Sequence, residues 1–330
     1  MNVLHIEPLR CNQPTRELLQ NNVALLDFVE VTSKEELISC LRKKNYDALF
    51  VRLGIAIDDV VLESAPFLRF IVTPTTGLDH IDLDAAEKRH IGIISLRGET
   101  IFLKSIKSTA EHTWALLMAL MRKLPEAIAD TRLGNWRREP FLASELYGKT
   151  LGIIGYGRLG SMVATYGKAF GMKVLVNDTD PKQLQELPAG IEAMDLKSLL
   201  INSDIISLHI PSNESNRNFL DAVKIKHTKK GVIIVNTARG EIIDEKVFLS
   251  ALESGHIGGA AIDVLDGDSS WQDHIPDHHP LLQYAVNHPQ LILTPHMGGY
   301  GKESIENTRF FMAKKFLKEI HINNHLILNQ

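Results

Sequence analysis

Short apolar runs alternate with polar, helix-length stretches along most of the 330-residue chain. In the first hundred residues the runs fall at 3–6, 24–29, 48–51, 68–72 and 92–95. Runs this short, separated by stretches long enough for a crossover helix, predict parallel strands in an α/β layer structure. Ser33 with Glu36 three residues on supplies a capping box, which opens a helix running toward Lys43 and Lys44. The alternation resumes beyond Gly148, with strands expected at 151–154, 173–176, 204–208, 232–235, 260–264 and 291–293. Between the two series, residues 108–121 (STAEHTWALLMALM) are apolar around most of a helical circumference. A helix of that kind is expected to be buried between bodies, either two domains or two subunits. The closing stretch, with Phe310, Phe311, Phe316, Leu317 and Ile320, reads as a helix returning to the first domain. The pattern therefore predicts an α/β protein of two doubly wound parallel-sheet domains with a cleft between them. One is discontinuous, formed by 1–103 and 297–330, and the other spans 104–296.

The second series opens on LGIIGYGRLG, in which Gly155, Gly157 and Gly160 fall at GxGxxG spacing between an apolar strand and a helix. The first glycine permits a tight turn, the second lets backbone approach a pyrophosphate, and the third allows close helix packing. Phosphates are expected on the free N–H groups at the helix start, where the helix dipole favours negative charge. Gly171 ends that helix, and Asp178 stands at the end of the next strand, where a carboxylate can accept from a ribose 2′-OH. Strand, glycine turn, helix and acid together point to NAD as cofactor in a Rossmann domain.

Composition narrows the partner. A net charge of −4 and an isoelectric point near 6.4 give no general attraction to nucleic acid or to an anionic membrane surface, which leaves a small ligand. Cys11 and Cys40 are the only cysteines, too few for a disulfide framework or a thiolate metal site, and they suit a reducing cytoplasm. The N-terminus MNVLHIEPLR resembles no signal peptide, and no run of about 20 apolar residues suggests a membrane span. A soluble, cytoplasmic protein is expected.

In open parallel sheets, ligands bind beyond the carboxyl ends of the strands, so polar residues there carry the candidate chemistry. His209 and Pro211 follow one strand, and Asn236, Thr237 and Arg239 follow the next in NTARG. Asp263, Asp266 and Asp268 end or follow GAAIDVLDGD, and His296 follows LILTP. Exchange of a hydride with a 2-hydroxy or 2-oxo acid needs a cation, an acid/base and an orienter beside the cofactor. Arg239 offers a planar fork for carboxylate and carbonyl oxygens. His296 can pass a proton near neutral pH, and Asp268 or Asp266 can hold it charged. In the first domain, the loop TTGLDHID (75–82) presents N–H groups of Gly77 and Leu78 that can hold a carboxylate, with Asp82 or Asp84 as a helix cap.

With these motifs in this order, LGIIGYGRLG, SLHIP, NTARG, GGAAIDV and HHPLL through LILTPHMGG, the chain resembles the D-isomer-specific 2-hydroxyacid dehydrogenases, the group containing 3-phosphoglycerate dehydrogenase. The resemblance implies a flavodoxin-like substrate domain and a Rossmann cofactor domain. It implies that Arg239, Asp268 and His296 are catalytic. It places Arg52, Gly77, Leu78, Arg239 and His296 near the substrate. Cofactor contacts are implied at Gly155, Gly157, Arg158, Leu159, Gly160, Asp178, His209, Pro211, Thr237, Ala238, Arg239, Asp263, His296 and Gly298. It further implies a homodimer formed through the cofactor domain, involving helix 108–121 and the Trp136 segment LGNWRR.

Two departures stand out. Where the family has glutamate followed by proline, this chain has Asp268 and Ser269, which leaves Asp266 as a rival partner for His296. The insert WQDHIPDHHP is rich in histidine, yet Pro276 breaks any helix that could align His274 with His278 and His279, and no metal site is expected. About 30 residues follow His296, so the C-terminal regulatory domain of some phosphoglycerate dehydrogenases is not expected. The expected reaction interconverts a small 2-oxo acid and its D-2-hydroxy acid with NAD(H). The rival expectations are an NAD(H)-sensing, corepressor-like binding protein and an NADP-dependent glyoxylate or hydroxypyruvate reductase.

Overall fold

The computed structural model describes residues 1–7, 10–271, 276 and 278–327. The chain divides into two compact units, one of Met1–Ser105, Ser269–Ile275 and Gly301–Gln330, the other of Ile106–Asp268 and Pro276–Tyr300. These bounds differ in detail from the 1–103, 297–330 and 104–296 expected from the pattern. Trp271 lies against Gly54 of the first unit, its carbonyl oxygen 3.9 Å from where a Cβ on that glycine would stand. Met297 and Gly298 instead stay with the second unit, because their N–H groups are bound by the buried Asp263.

In the first unit, β1 (Asn2–His5), β2 (Leu25–Phe28), β3 (Ala48–Phe50), β4 (Phe70–Val72) and β5 (Gly92–Ile94) form a wholly parallel sheet of order β2-β1-β3-β4-β5. This is the flavodoxin-like order, with its switch point between β1 and β3. Leu4, Leu49 and Ile71 from neighbouring strands are fully buried, as expected of strands covered on both faces. Ser33 caps the helix Lys34–Leu41 by accepting the Glu36 N–H, and Glu36 reaches back to the Thr32 N–H at 2.9 Å. The closing helix, Lys302–Ile327, sets the buried Phe316 edge-on against Phe50 and Phe70. Arg309 of that helix reaches the buried Glu7 carboxylate at 2.6 Å.

In the second unit, the strands are β6 (Thr150–Ile154), β7 (Lys173–Asn177), β8 (Ile191–Ala193), β9 (Ile205–Leu208), β10 (Val232–Asn236), β11 (Ile257–Ile262) and β12 (Leu291–Leu293). All are parallel, in the order β12-β11-β10-β9-β6-β7-β8. This is the Rossmann order extended by one strand, and its switch point lies between β6 and β9. The sequence pattern gave no sign of β8, a three-residue edge strand in which only Ile191 is buried. β11 begins three residues earlier than expected, through two glycines that carry no hydrophobic signal, and its pairing with β10 shifts register there.

The helix Ser108–Met121 packs into the second unit's own core. Ala110, Trp114, Leu116, Leu117 and Met121 are buried with Leu151, Val163 and Ala164, and Trp114 stacks on Phe170 at 4.7 Å. Its apolar circumference is therefore largely accounted for within one unit, where the pattern had suggested burial between bodies. No helix among the described residues is long and apolar enough to cross a membrane.

Candidate active site

The glycine turn after β6 is shaped by close approach. Gly155 has φ of +92°, and a Cβ there would fall 2.6 Å from the carbonyl oxygen of His209 on the neighbouring strand's exit. A Cβ on Gly160 would fall 2.0 Å from the carbonyl oxygen of Gly155, so the helix Arg158–Ala169 starts tight against the turn only because position 160 has no side chain. Gly157 is the opposite case, with no atom within 4 Å of its would-be Cβ and no side chain capping the helix it begins. Open space in front of uncapped first-turn N–H groups is what a pyrophosphate requires. The Arg158 side chain turns to the Ile106 carbonyl at 3.3 Å, and burial holds its pKa below the usual value. Leu159 packs on the core, so these two residues offer the helix start their backbone N–H groups.

Asp178, just past β7, accepts from the Tyr156 N–H at 2.7 Å and the Asp180 N–H at 2.8 Å. It thereby fixes the GYG turn to the end of the second strand, with carboxylate lone pairs left for a ribose. Past β9, His209 Nε2 lies 2.8 Å from Ser207 Oγ, while its buried Nδ1 has no partner among the described residues. Burial pushes this histidine down to about 4, so it is neutral near pH 7. The Pro211 carbonyl accepts from Asn216.

Past β10, the buried Asn236 staples its own turn, accepting the Ala238 N–H at 3.0 Å and donating to the Arg239 carbonyl at 2.8 Å. Thr237 is tied to Thr113 of the Ser108–Met121 helix at 2.7 Å. The half-buried Arg239 donates from Nη1 to the Ala238 carbonyl at 2.8 Å.

Beyond β11 and β12 the structure gathers the remaining residues. The Asp263 carboxylate, 1% exposed, accepts from the Met297 N–H (2.9 Å), the Gly298 N–H (2.8 Å), the Thr294 hydroxyl (2.6 Å) and His112 Nε2 (3.1 Å). Four donors make it first of all the clamp on the segment that carries His296. His296 itself has φ of +49°, a conformation uncommon outside glycine, and its N–H donates to the Asp263 carbonyl at 2.8 Å. Its Nδ1 lies 2.9 Å from Asp268 Oδ2. Asp266 turns instead to Arg217, 3.0 Å away. With Nδ1 engaged by a carboxylate, Nε2 is the nitrogen left to give or take a proton.

Arg52, Gly77 and Leu78 belong to the first unit. Arg52 donates from Nη2 to the Val31 carbonyl at 3.2 Å, and its buried Nε has no partner among the described residues. The N–H groups of Gly77 and Leu78 have no acceptor among the described residues, while Thr75 braces the loop by donating to the Gly77 carbonyl. Asp82, rather than Asp84, caps the following helix, Leu83–Lys88. Of the histidine-rich insert, His274 lies outside the described residues. His278 lies 3.2 Å from Gln283, and His279 lies 3.3 Å from Glu245. Among the described residues no three His, Cys, Asp or Glu side chains are grouped to hold a metal ion.

Sequence reasoning passed over His112, Thr294 and Glu245. A histidine in the apolar helix 108–121 was the available signal for the first. Thr294 stood beside the LILTP motif already singled out, whereas an acid in a first helical turn such as Glu245 is explained by the helix dipole alone.

A family profile described as D-isomer specific 2-hydroxyacid dehydrogenase, NAD binding domain, matches residues 114–298. A D-3-phosphoglycerate dehydrogenase of Bacillus subtilis is 36% identical over 293 residues, covering 88% of this chain and 53% of the relative. The chain spans about half the length of the curated phosphoglycerate dehydrogenases it matches. A glyoxylate reductase of Aeropyrum pernix is 36% identical over 315 residues, covering 91% of this chain and 88% of the relative. Among solved structures, D-lactate dehydrogenase from Aquifex aeolicus, complexed with NAD and lactic acid, superposes with a TM-score of 0.80 at 27% identity over 100% and 98% of the two chains. The glycine cradle, the strand-end residues and these matches agree: the chain belongs to the D-isomer specific 2-hydroxyacid dehydrogenases, and residues 114–298 are its NAD binding domain.

Proposed function

We propose that the protein is an oxidoreductase interconverting a small 2-oxo acid and its D-2-hydroxy acid with NAD(H). The observation that carries this reading is the 2.9 Å pairing of His296 with Asp268 at the strand ends of an NAD binding domain. When bound, the dinucleotide supplies or accepts the hydride. Arg239 binds the carboxylate and carbonyl oxygens of the acid through its planar fork. His296 gives a proton from Nε2 to the carbonyl oxygen during reduction and takes one from the hydroxyl during oxidation. Asp268 holds the imidazole by Nδ1 and so orients Nε2 toward the substrate oxygen. The N–H groups of Gly77 and Leu78, unpaired among the described residues, serve the substrate side with Arg52, and Asp178 favours NAD over NADP.

The relatives named D-3-phosphoglycerate dehydrogenase and glyoxylate reductase define the range of acids to test. NADH oxidation is to be recorded against glyoxylate, pyruvate, hydroxypyruvate, phosphohydroxypyruvate and branched or aromatic 2-oxo acids. Turnover of at least one is expected. NADH binding without turnover of any would favour a dinucleotide-sensing protein instead.

The same reading includes a homodimer acting in the cytoplasm. Leu133, Trp136, Leu142 and Tyr147 are each more than three-quarters exposed, large apolar side chains of the kind subunit contacts cover. Light scattering at micromolar concentration should give twice 36.9 kDa, and the mass of one chain would refute the dimer. Both cysteines are free, which fits a reducing compartment.

A further inference from the structure

Glu245 opens the helix Glu245–Glu253, and its carboxyl reaches two ways. Oε1 accepts the Asp266 N–H at 3.0 Å, and Oε2 lies 3.3 Å from His279 Nε2 at the start of the helix Pro280–Asn287. The turn held by Oε1 is the one that carries Asp268. Leu265 N–H donates to Asp268 Oδ2 at 3.2 Å, Asp268 N–H donates to the Leu265 carbonyl at 3.1 Å, and the same Oδ2 faces His296. The backbone after Arg239 presses on this turn as well, since a Cβ on Gly240 would fall 1.9 Å from the Leu265 carbonyl carbon. Two histidine–carboxyl pairs thus stand on either side of one short turn, and only one of them has a role in the reaction proposed above.

The charged groups facing Glu245 are Asp266 and Asp268 from the turn and His279 from the following helix; Asp266 in turn holds Arg217. Asp244 and Lys246 flank it on its own helix. Burial pushes the Glu245 carboxyl above the ordinary range; the Asp266 N–H and His279 oppose this, and the charges of Asp266 and Asp268 add to it. Such a group binds and releases its proton closer to neutrality than an exposed glutamate does.

We propose that Glu245 and His279 are positioning residues, a second proton-holding pair behind Asp268 and His296. They fix the turn that carries Asp268 and, through their charge, set the pH at which His296 releases its proton. An ionised Glu245 adds negative charge behind Asp268 and helps His296 keep its proton, and His279 helps Glu245 to stay ionised. The inference rests on the role given to His296 above, but its test does not need turnover.

The test is a titration of the His296 ring by NMR in the full-length chain, with the resonance assigned by its loss in His296→Gln. Glu245→Gln keeps an acceptor for the Asp266 N–H and removes the charge, so the His296 midpoint should fall by about half a pH unit, the size of a partly screened charge effect. His279→Gln removes the neighbour that favours the ionised carboxyl, so the midpoint should fall as well, by less. The alkaline limb of kcat/KM for reduction should follow in each variant. Midpoints unchanged in both variants, or raised in either, would overturn the proposal, because loss of the carboxylate's charge, or of the neighbour that keeps it charged, can only lower them. Should Glu245→Gln fail to fold, the direction of the His279→Gln shift decides alone. If the unaltered protein turns over no 2-oxo acid, the proposed function fails while the titration still judges the pair.

Discussion

His296 Nδ1 lies 2.9 Å from Asp268 Oδ2, and Asp266, two residues earlier, points to Arg217 instead. In the proposed reaction the ring must carry a proton at the outset of reduction and be without one at the outset of oxidation. Reduction should fall off as pH rises and the ring loses its proton, and oxidation should improve over the same range. Asp268→Asn is expected to move the alkaline limb of reduction to lower pH, and Asp266→Asn to leave it in place. Replacing His296 should lower kcat by about 10² to 10⁴ while NADH still binds. Profiles of kcat/KM against pH for the three variants check this, and the reverse behaviour of the two aspartates would reassign the partner.

The glycines of the turn separate folding from binding. A Cβ at Gly160 meets backbone at 2.0 Å, whereas one at Gly157 meets nothing within 4 Å. Gly160→Ala is accordingly expected to lower the melting temperature and to abolish NADH binding. Gly157→Ala should melt like the unaltered protein yet bind NADH at least tenfold more weakly, because the methyl occupies space meant for phosphate. Calorimetric melting beside fluorescence titration with NADH makes the comparison. Equal NADH affinity in Gly157→Ala would remove the pyrophosphate from this turn.

The fold was legible in the sequence where burial imposes a pattern. Strands buried on both faces show as apolar runs, and GxGxxG shows because nearby backbone excludes side chains at Gly155 and Gly160 while Gly157 keeps the space before the helix open. β8 was not legible, since one buried isoleucine in three residues makes no period. The cover of the Ser108–Met121 helix was not legible either, because an apolar circumference does not say whether a neighbouring helix of the same unit or another body meets it. In the candidate site, strand-end placement exposed Arg239, Asp263 and His296. The choice between Asp266 and Asp268 depended on a three-residue turn whose shape is set by Gly240 and Glu245, both distant in sequence.

The proposed preference for NAD rests on Asp178. Its carboxylate is held by the Tyr156 and Asp180 N–H groups, and in that position it suits the two hydroxyls of an NAD ribose and repels a 2′-phosphate. The expected outcome is a kcat/KM for NADH at least tenfold above that for NADPH, narrowing in Asp178→Ala. Equal values in the unaltered protein would show that this carboxylate does not set the choice.

His5 gives the first unit a sensitivity to acid that can be worked out in sign. The residue is 2% exposed, stacked on Phe50 and tilted against Phe28, and its Nδ1 accepts the Glu7 N–H as a neutral ring. Burial, then the charges of Arg309 and Arg16, bring its pKa down to about 3. An unfolded histidine titrates near 6.5, so between those values the unfolded chain holds a proton that the folded chain refuses. Stability contributed by the neutral ring is thus complete above about pH 6.5 and is lost on acidification, by about 1.4 kcal/mol for each pH unit below it. Exposed carboxylates protonate at lower pH than the range from about pH 7 to about pH 5, and comparison with His5→Gln separates this histidine from the other histidines and from Glu245. The variant should be less stable at pH 7, because it loses the ring stack, but its urea midpoint should fall less between the two pH values. The difference in unfolding free energy should be about 1 to 2 kcal/mol. Parallel pH dependence in the two proteins would mean that His5 accepts its proton in the folded state, and that the pocket of Phe28, Phe50 and the two arginines does not keep it neutral.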